Sequence, residues 1–285
     1  MSNSGAIFIS GSSSGIGEAC AVGLDKRGYE VFAGVRSMKD GESLRRKTSQ
    51  RLHPVLLDIS KEEQIKAAGE TVRQALGDTP LVGLINNAGI FVGGPLEFVP
   101  IERLRHQLEI NLIGHIAVSQ AFLPLLRQTQ GRIINIGSVA GIFASPLMGP
   151  YCASKFAMEA VSDVLRRELR PWNIKVILLE PGIIATKIWQ KAITQAEEAI
   201  PEAPDEMTKL YGPLLDAVQN HAADVEKTAQ SPEVVFRAVI HALTAQRPKI
   251  RYRMGPKARA QKVISWLPDG IQDRILAAFL KWGNR

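Results

Sequence analysis

The sequence predicts an α/β protein: a doubly wound parallel sheet with helices on both faces, then a helical lid and a C-terminal helical extension. Three observations lead there. Short apolar runs alternate with helical stretches along most of the chain, the pattern of βαβ units. A glycine- and serine-rich turn, Gly11 to Gly17, separates the first apolar run from the first helix. The 285 residues, 45% hydrophobic and 22% charged, have the composition of a globular chain that can bury a sizeable core.

Ala6 to Ser10 is apolar and ends at glycine, as a buried strand does. A helix follows from about Gly15 to Arg27 and stops at Gly28. Strands are expected at Glu30–Val35, Leu52–Leu57, Leu81–Ile85, Arg132–Ile136 and Lys175–Leu179. Helices are expected at Lys61–Leu76, Ile101–Arg127 and Pro150–Arg170. After Pro181 the pattern changes, and Lys187 to Gln230 reads as helical, rather acidic and broken by prolines. Pro232–Ala245 resumes as helix and Lys249–Arg253 as a last strand. Two further helices, parted by Pro268-Asp269-Gly270, complete the chain to Arg285. The expected division is one unit, with a core over about 5–253, a lid over about 183–230 and the extension over about 255–285.

The net charge of +7 is concentrated at the end: from Gln246 onward ten Lys and Arg face only Asp269 and Asp273, which leaves the first 245 residues at −1. A basic tail suits peripheral contact with an anionic membrane; without a helix-turn-helix or zinc-knuckle pattern beside it, nucleic acid is not the expected partner. No run approaches the ~20 consecutive apolar residues of a membrane span. The N-terminus lacks a signal-peptide layout, and Cys20 and Cys152 form no disulfide framework. A cytoplasmic protein is expected. The histidines at 53, 106, 115, 221 and 241 lack ligand spacing, so no metal is expected, and His115 reads as a packed helix residue.

The turn Gly11-Ser12-Ser13-Ser14-Gly15-Ile16-Gly17 suits a pyrophosphate. Small residues let the backbone approach it, and the helix N-terminus offers free N–H groups and a positive dipole end. The spacing is G-x-x-x-G-x-G, and a flexible turn is the alternative. Arg36 follows the second strand, where an acidic residue would bind the ribose of NAD and an arginine accommodates the 2′-phosphate of NADP; NADP(H) is therefore expected over NAD(H). Asp58, beside Ile59 after the third strand, either holds an adenine amino group or caps the next helix. Asn86-Asn87-Ala88-Gly89 ends the fourth strand, where ligands sit in open α/β sheets, and its two amides are expected beside the cofactor.

Tyr151 and Lys155 stand at i and i+4 and share a helix face. An ammonium beside a tyrosine favours the phenolate, which lets the hydroxyl give and take a proton nearer neutral pH. With Ser138 upstream and Pro181-Gly182 followed by Thr186 downstream, the chain from about Ala6 to Ala245 resembles the short-chain dehydrogenase/reductase family, with its Rossmann-like fold. The resemblance implies that Tyr151 is the general acid or base and that Lys155 lowers its pKa and holds the nicotinamide ribose. It implies that Ser138 bonds the substrate oxygen, and that Asn111 kinks its helix and anchors a water leading to Lys155. Pro181, Gly182, Ile184 and Thr186 would line the nicotinamide, and Asn87, Ala88 and Gly89 the adenosine side. Ser10 replaces the family's usual threonine and keeps the hydroxyl.

The lid carries Ile183, Ile184, Ile188, Trp189, Ile193, Ile200, Met207, Leu210 and Tyr211, with Phe143, Leu147 and Met148 expected opposite. Such a lining suits a bulky lipophile. In the extension Ile271, Ile275, Leu276, Phe279 and Trp282 follow helical spacing, either for packing or for a lipid surface. Lid and tail resemble the steroid- and retinoid-handling branch. The expected activity is NADP(H)-dependent interconversion of a lipophilic alcohol and its ketone or aldehyde, in a dimer or tetramer. The alternatives are a 3-oxoacyl thioester reductase and a non-catalytic nicotinamide-sensing protein; the latter has no need of the tyrosine.

Overall fold

A computed structural model describes residues 5–186, 205–226 and 228–280. Seven parallel strands form one sheet in the order β3-β2-β1-β4-β5-β6-β7. They are β1 (Ala6–Ile9), β2 (Glu30–Val35), β3 (Leu52–Leu56), β4 (Leu81–Asn86), β5 (Arg132–Ile136), β6 (Lys175–Pro181) and β7 (Arg251–Met254). The order reverses between β1 and β4, so the crevice of a doubly wound sheet opens beyond the ends of these two strands.

Both faces of the sheet are buried, which is why its strands read as continuous apolar runs. In β1, Ala6 and Phe8 enter the core on one face and Ile7 and Ile9 the core on the other. The first core is closed by α3 (Glu62–Leu76) and α5 (Gly114–Thr129), through Val72, Val118, Phe122 and Leu126. The second is closed by α1 (Gly15–Lys26) and α8 (Glu233–Thr244), through Cys20, Leu24, Val235 and Val239. A short α2 (Met38–Arg45), which the sequence reading passed over, follows β2.

The long helix expected from Ile101 is interrupted. It runs as α4 (Ile101–Leu108), then a single π-turn at Glu109–Ile113, then α5. Over Ile101–Thr129 the chain is long and apolar enough for a membrane span by composition, contrary to the sequence reading. The core supplies the physical reason, because Val118, Phe122 and Leu126 are fully buried against the sheet.

After α6 (Gly149–Glu168) and β6 come α7 (Asp205–Glu226), α8, β7, α9 (Pro256–Ile264) and α10 (Asp269–Leu280). Strand β7 is fastened to α6 and β6 by ions: Arg251 Nε lies 2.9 Å from Glu159 and its Nη2 3.0 Å from Asp163, while Arg253 Nε lies 2.5 Å from the fully buried Glu180. In the extension, Ile271, Ile275 and Phe279 face solvent, and Leu280 is buried. Of the expected lid, Ile188, Trp189, Ile193 and Ile200, like Trp282 of the tail, lie outside the described residues. Leu210 faces solvent and is not part of an apolar lining.

Candidate active site

The glycine turn is built around close backbone approaches. Gly11 has φ of 67°, a left-handed conformation that favours glycine, and a Cβ there would fall 2.7 Å from Ala88 Cα. A Cβ on Gly17 would fall 2.2 Å from the Gly11 carbonyl oxygen and 2.5 Å from Asn87 Nδ2. Gly17 therefore has no room for a side chain, and α1 starts packed against the Gly11 turn. Ser14 precedes α1 in an extended conformation and its side chain makes no capping bond, which leaves the first helix N–H groups without a side-chain cap from Ser14. Ser13 is exposed beside it, and Ile16 packs on the core behind. This cradle fits a pyrophosphate.

The end of β4 is tied to the same turn. Buried Ser10 Oγ accepts from the N–H of Asn87 (3.0 Å) and of Ala88 (3.1 Å), and Asn87 Nδ2 donates to the carbonyls of Ser10 (3.0 Å) and Gly11 (2.9 Å). Asn86 does not share this face, contrary to expectation. Strand alternation turns it into the sheet's interior, where Nδ2 donates to Ser119 Oγ and to Asn135 Oδ1, each at 2.9 Å.

Arg36 is exposed directly beyond β2. It lies close enough to Asp58 to act on its carboxyl. Burial raises that group, but hydrogen bonds from Ser60 and the charges of Lys61 and Arg36 outweigh burial and hold it below the ordinary range. Asp58 does not cap α3. Its Oδ1 closes a local turn, accepting from Ser60 N (3.0 Å) and Ser60 Oγ (2.7 Å), and the helix begins later, at Glu62. Ile59 is buried, with its carbonyl oxygen 2.5 Å from where a Gly114 Cβ would stand. Across the crevice, Gly182 donates to Met254 O (2.9 Å), Ile184 is buried, and the Thr186 methyl approaches Gly15. The segment Pro181–Thr186 thus meets the glycine turn.

Ser138 ends the connection after β5, with Oγ accepting from Ala140 N (3.1 Å). Its own hydrogen is left to donate elsewhere, and its bond to Tyr151 favours the phenolate. Tyr151 and Lys155, both buried, occupy one face of α6, with Lys155 Nζ 5.6 Å from the Tyr151 ring centroid and donating to Ile136 O (2.9 Å). Burial dominates both groups: it pushes the Tyr151 phenol up to about 12 and the Lys155 ammonium down to about 8. In the protein alone burial outweighs the Ser138 bond and favours the protonated phenol, where the sequence reading expected the lysine to lower its pKa. Asn111, presented by the π-turn, donates to Ser154 Oγ (3.2 Å), which donates to Tyr151 O (2.7 Å).

Sequence reasoning missed Phe91 and Gln107; it read His115 rightly as a packed helix residue but missed its main-chain bond. Phe91 stacks at a tilt on Tyr151, ring centroids 5.1 Å apart. Gln107 and His115 bond the main chain beside Asn111. Their four-residue spacing about Asn111 was the available signal.

The profile described as short chain dehydrogenase matches residues 5–197. The chain is 40% identical to a 17-beta-hydroxysteroid dehydrogenase type 6 of Bos taurus, covering 95% of this chain and 87% of that one. It is 37% identical to retinol dehydrogenase 16 of Mus musculus, with the same coverage. It is 35% identical to an NADPH-dependent 3-dehydrocapnine reductase of Ornithobacterium rhinotracheale, covering 96% of each. Among solved structures it resembles a short chain dehydrogenase of Burkholderia cenocepacia in complex with NADP, with a TM-score of 0.72 at 25% identity, covering 97% of this chain and 99% of that one.

Proposed function

This chain belongs to the short-chain dehydrogenase/reductase family, and on that premise we propose that it reduces a lipophilic ketone or aldehyde, of steroid, retinoid or similar bulk, with NADPH. The observation that carries the reading is buried Tyr151, bonded to Ser138 and one turn from Lys155, joined to the glycine cradle through the segment from Ala88 to Phe91. NADPH, when bound, supplies the hydride.

The chain's own residues do the rest. The N-terminus of α1 and the Gly11 turn receive the pyrophosphate. Arg36 offers a guanidinium for the 2′-phosphate, consistent with the cofactor named for the 35%-identical reductase. Ser138, its lone pair engaged by Ala140 N–H, directs its hydroxyl hydrogen at the carbonyl oxygen. Tyr151 donates its phenolic proton to that oxygen as negative charge develops there. The phenolate left behind is stabilised by the Lys155 ammonium, whose proton can then replace the one given up. In the oxidative direction the same groups act in reverse, and Tyr151 must start as phenolate. Phe91 over the tyrosine ring and Met148 beside it give the reacting carbonyl apolar walls. The hydroxysteroid and retinol dehydrogenases among the relatives support a substrate of that character.

The test follows reduced-nicotinamide absorbance with NADPH and NADH in parallel against steroid ketones, retinal, long-chain aldehydes and a 3-oxoacyl thioester. Turnover of a bulky lipophile with NADPH is expected. Preference for NADH would remove the role given to Arg36, and preference for the thioester would overturn the substrate class.

A further inference from the structure

Three side chains at four-residue steps along α4, the π-turn and α5 bond the main chain of alternate residues after β4. Gln107 Oε1 accepts from Val92 N (2.6 Å) and its Nε2 donates to Ile90 O (2.9 Å). Asn111 Oδ1 accepts from Ile90 N (2.9 Å) and its Nδ2 donates to the same carbonyl (3.0 Å). His115 Nε2 lies 2.6 Å from Ala88 O. All three side chains are buried, none more than 1% exposed.

The match has a geometric cause. Four helical residues advance ~6 Å and two extended residues ~6.7 Å, so a helix and an extended segment running past each other keep such rungs in register. The π-turn at Glu109–Ile113 falls at the middle rung. A carbonyl only accepts, so His115 carries its hydrogen on Nε2. Burial, with Lys155 nearby, keeps the ring neutral and supports that tautomer. Its Nδ1 has no partner among the described residues, so its polar contact is the one to Ala88.

The two outer rungs end in different places. Ala88 abuts the Gly11 turn and follows Asn87, which holds Ser10 and Gly11. Ile90 and Val92 flank Phe91, whose ring lies against Tyr151. We propose that His115 and Gln107 are positioning residues with divided effects, His115 setting the cofactor cradle and Gln107 setting the apolar wall beside the reacting carbonyl. This rests on the reductase reading for what each side of the segment binds; the ladder itself does not.

The experiment compares the full-length chain with His115→Leu, His115→Gln and Gln107→Met. It reads NADPH affinity by fluorescence titration without substrate, the KM of a steroid ketone at saturating NADPH, and amide hydrogen exchange at Ile90 and Val92. Removing the partner of a buried polar group weakens what that group positions by roughly tenfold. His115→Leu is expected to weaken NADPH binding by about that factor and leave the ketone KM within about twofold, and His115→Gln, which keeps a donor, to recover the affinity. Gln107→Met is expected to raise the ketone KM by roughly tenfold, spare NADPH affinity, and speed exchange at Val92. Equal movement of both constants in both variants, or a lower melting temperature with both constants unchanged, would overturn the division. If the unaltered chain binds no NADPH, the reductase reading fails; unchanged Val92 exchange in Gln107→Met would separately refute the ladder.

Discussion

Tyr151 and Lys155 stand one turn apart on α6, and the same burial moves their acidities in opposite directions, toward a phenol that keeps its proton and an ammonium that can lose it. Desolvation disfavours whichever form is charged, and here it acts on an acid and a base that share one face.

The pH profile of reduction follows from that pair. Lys155, held down at about 8, loses its proton as pH rises through that value, and with it the charge that stabilises the phenolate left after proton donation. Tyr151, up at about 12, stays protonated throughout. Reductive kcat/KM with NADPH is therefore expected to be level in neutral solution and to fall above about pH 8. A rate that climbs steadily into alkaline solution would contradict this.

The role proposed for Arg36 predicts a change in cofactor choice. Replacing the arginine with Asp removes the guanidinium and places a carboxylate where a ribose 2′-OH would lie. NADPH affinity should drop by roughly a hundredfold or more, while NADH affinity holds or improves. Titrations with the two reduced cofactors check this directly, and equal losses for both would discount the assignment.

The cradle tolerates no side chain at Gly17. A methyl group there would meet the Gly11 carbonyl at 2.2 Å. Gly17→Ala should push the turn and α1 apart and weaken NADPH binding by at least roughly tenfold, with thermal stability reduced as well. Calorimetric titration gives the first quantity and a melting curve the second.

The fastening of β7 is a question of stability. Glu180 is fully buried; burial raises its carboxyl and Arg253 counteracts the rise. Arg253→Met leaves the carboxylate with Arg251, 3.4 Å away, and the more distant charge of Lys262, and should cost roughly 3 kcal/mol in urea unfolding at neutral pH. A carboxyl whose folded pKa lies above its unfolded value costs stability when ionised, so the deficit should shrink as pH falls and Glu180 takes up a proton.

The sheet was legible because parallel strands buried on both faces are continuous apolar runs, and Ala6–Ile9 or Arg132–Ile136 cannot be mistaken for anything exposed. The placing of Gly11 at a strand-to-helix turn and of Tyr151 and Lys155 on one helix face was legible from spacing, and Ser138 entered only through the family resemblance. The direction of the Tyr151 shift was not legible, since it depends on how much burial outweighs the hydrogen bond from Ser138. Nor was the role of Asn86, because strand alternation directs it at Ser119 and Asn135, far away in sequence. Periodicity did not register the π-turn, because Ile101–Arg127 has an unbroken helical pattern, but the family resemblance placed a kink at Asn111, where the π-turn lies and bonds Ile90.

The central claim is that Tyr151 is the proton donor of an NADPH-dependent reductase. Its most direct test is Tyr151→Phe, with single-turnover reduction of the best lipophilic ketone and NADPH affinity measured on the same preparation. Losing the hydroxyl alone should lower the chemical rate by roughly a thousandfold or more, with NADPH affinity within about twofold of the unaltered protein. A variant that still reduces the ketone at near its original rate would show that the proton comes from elsewhere.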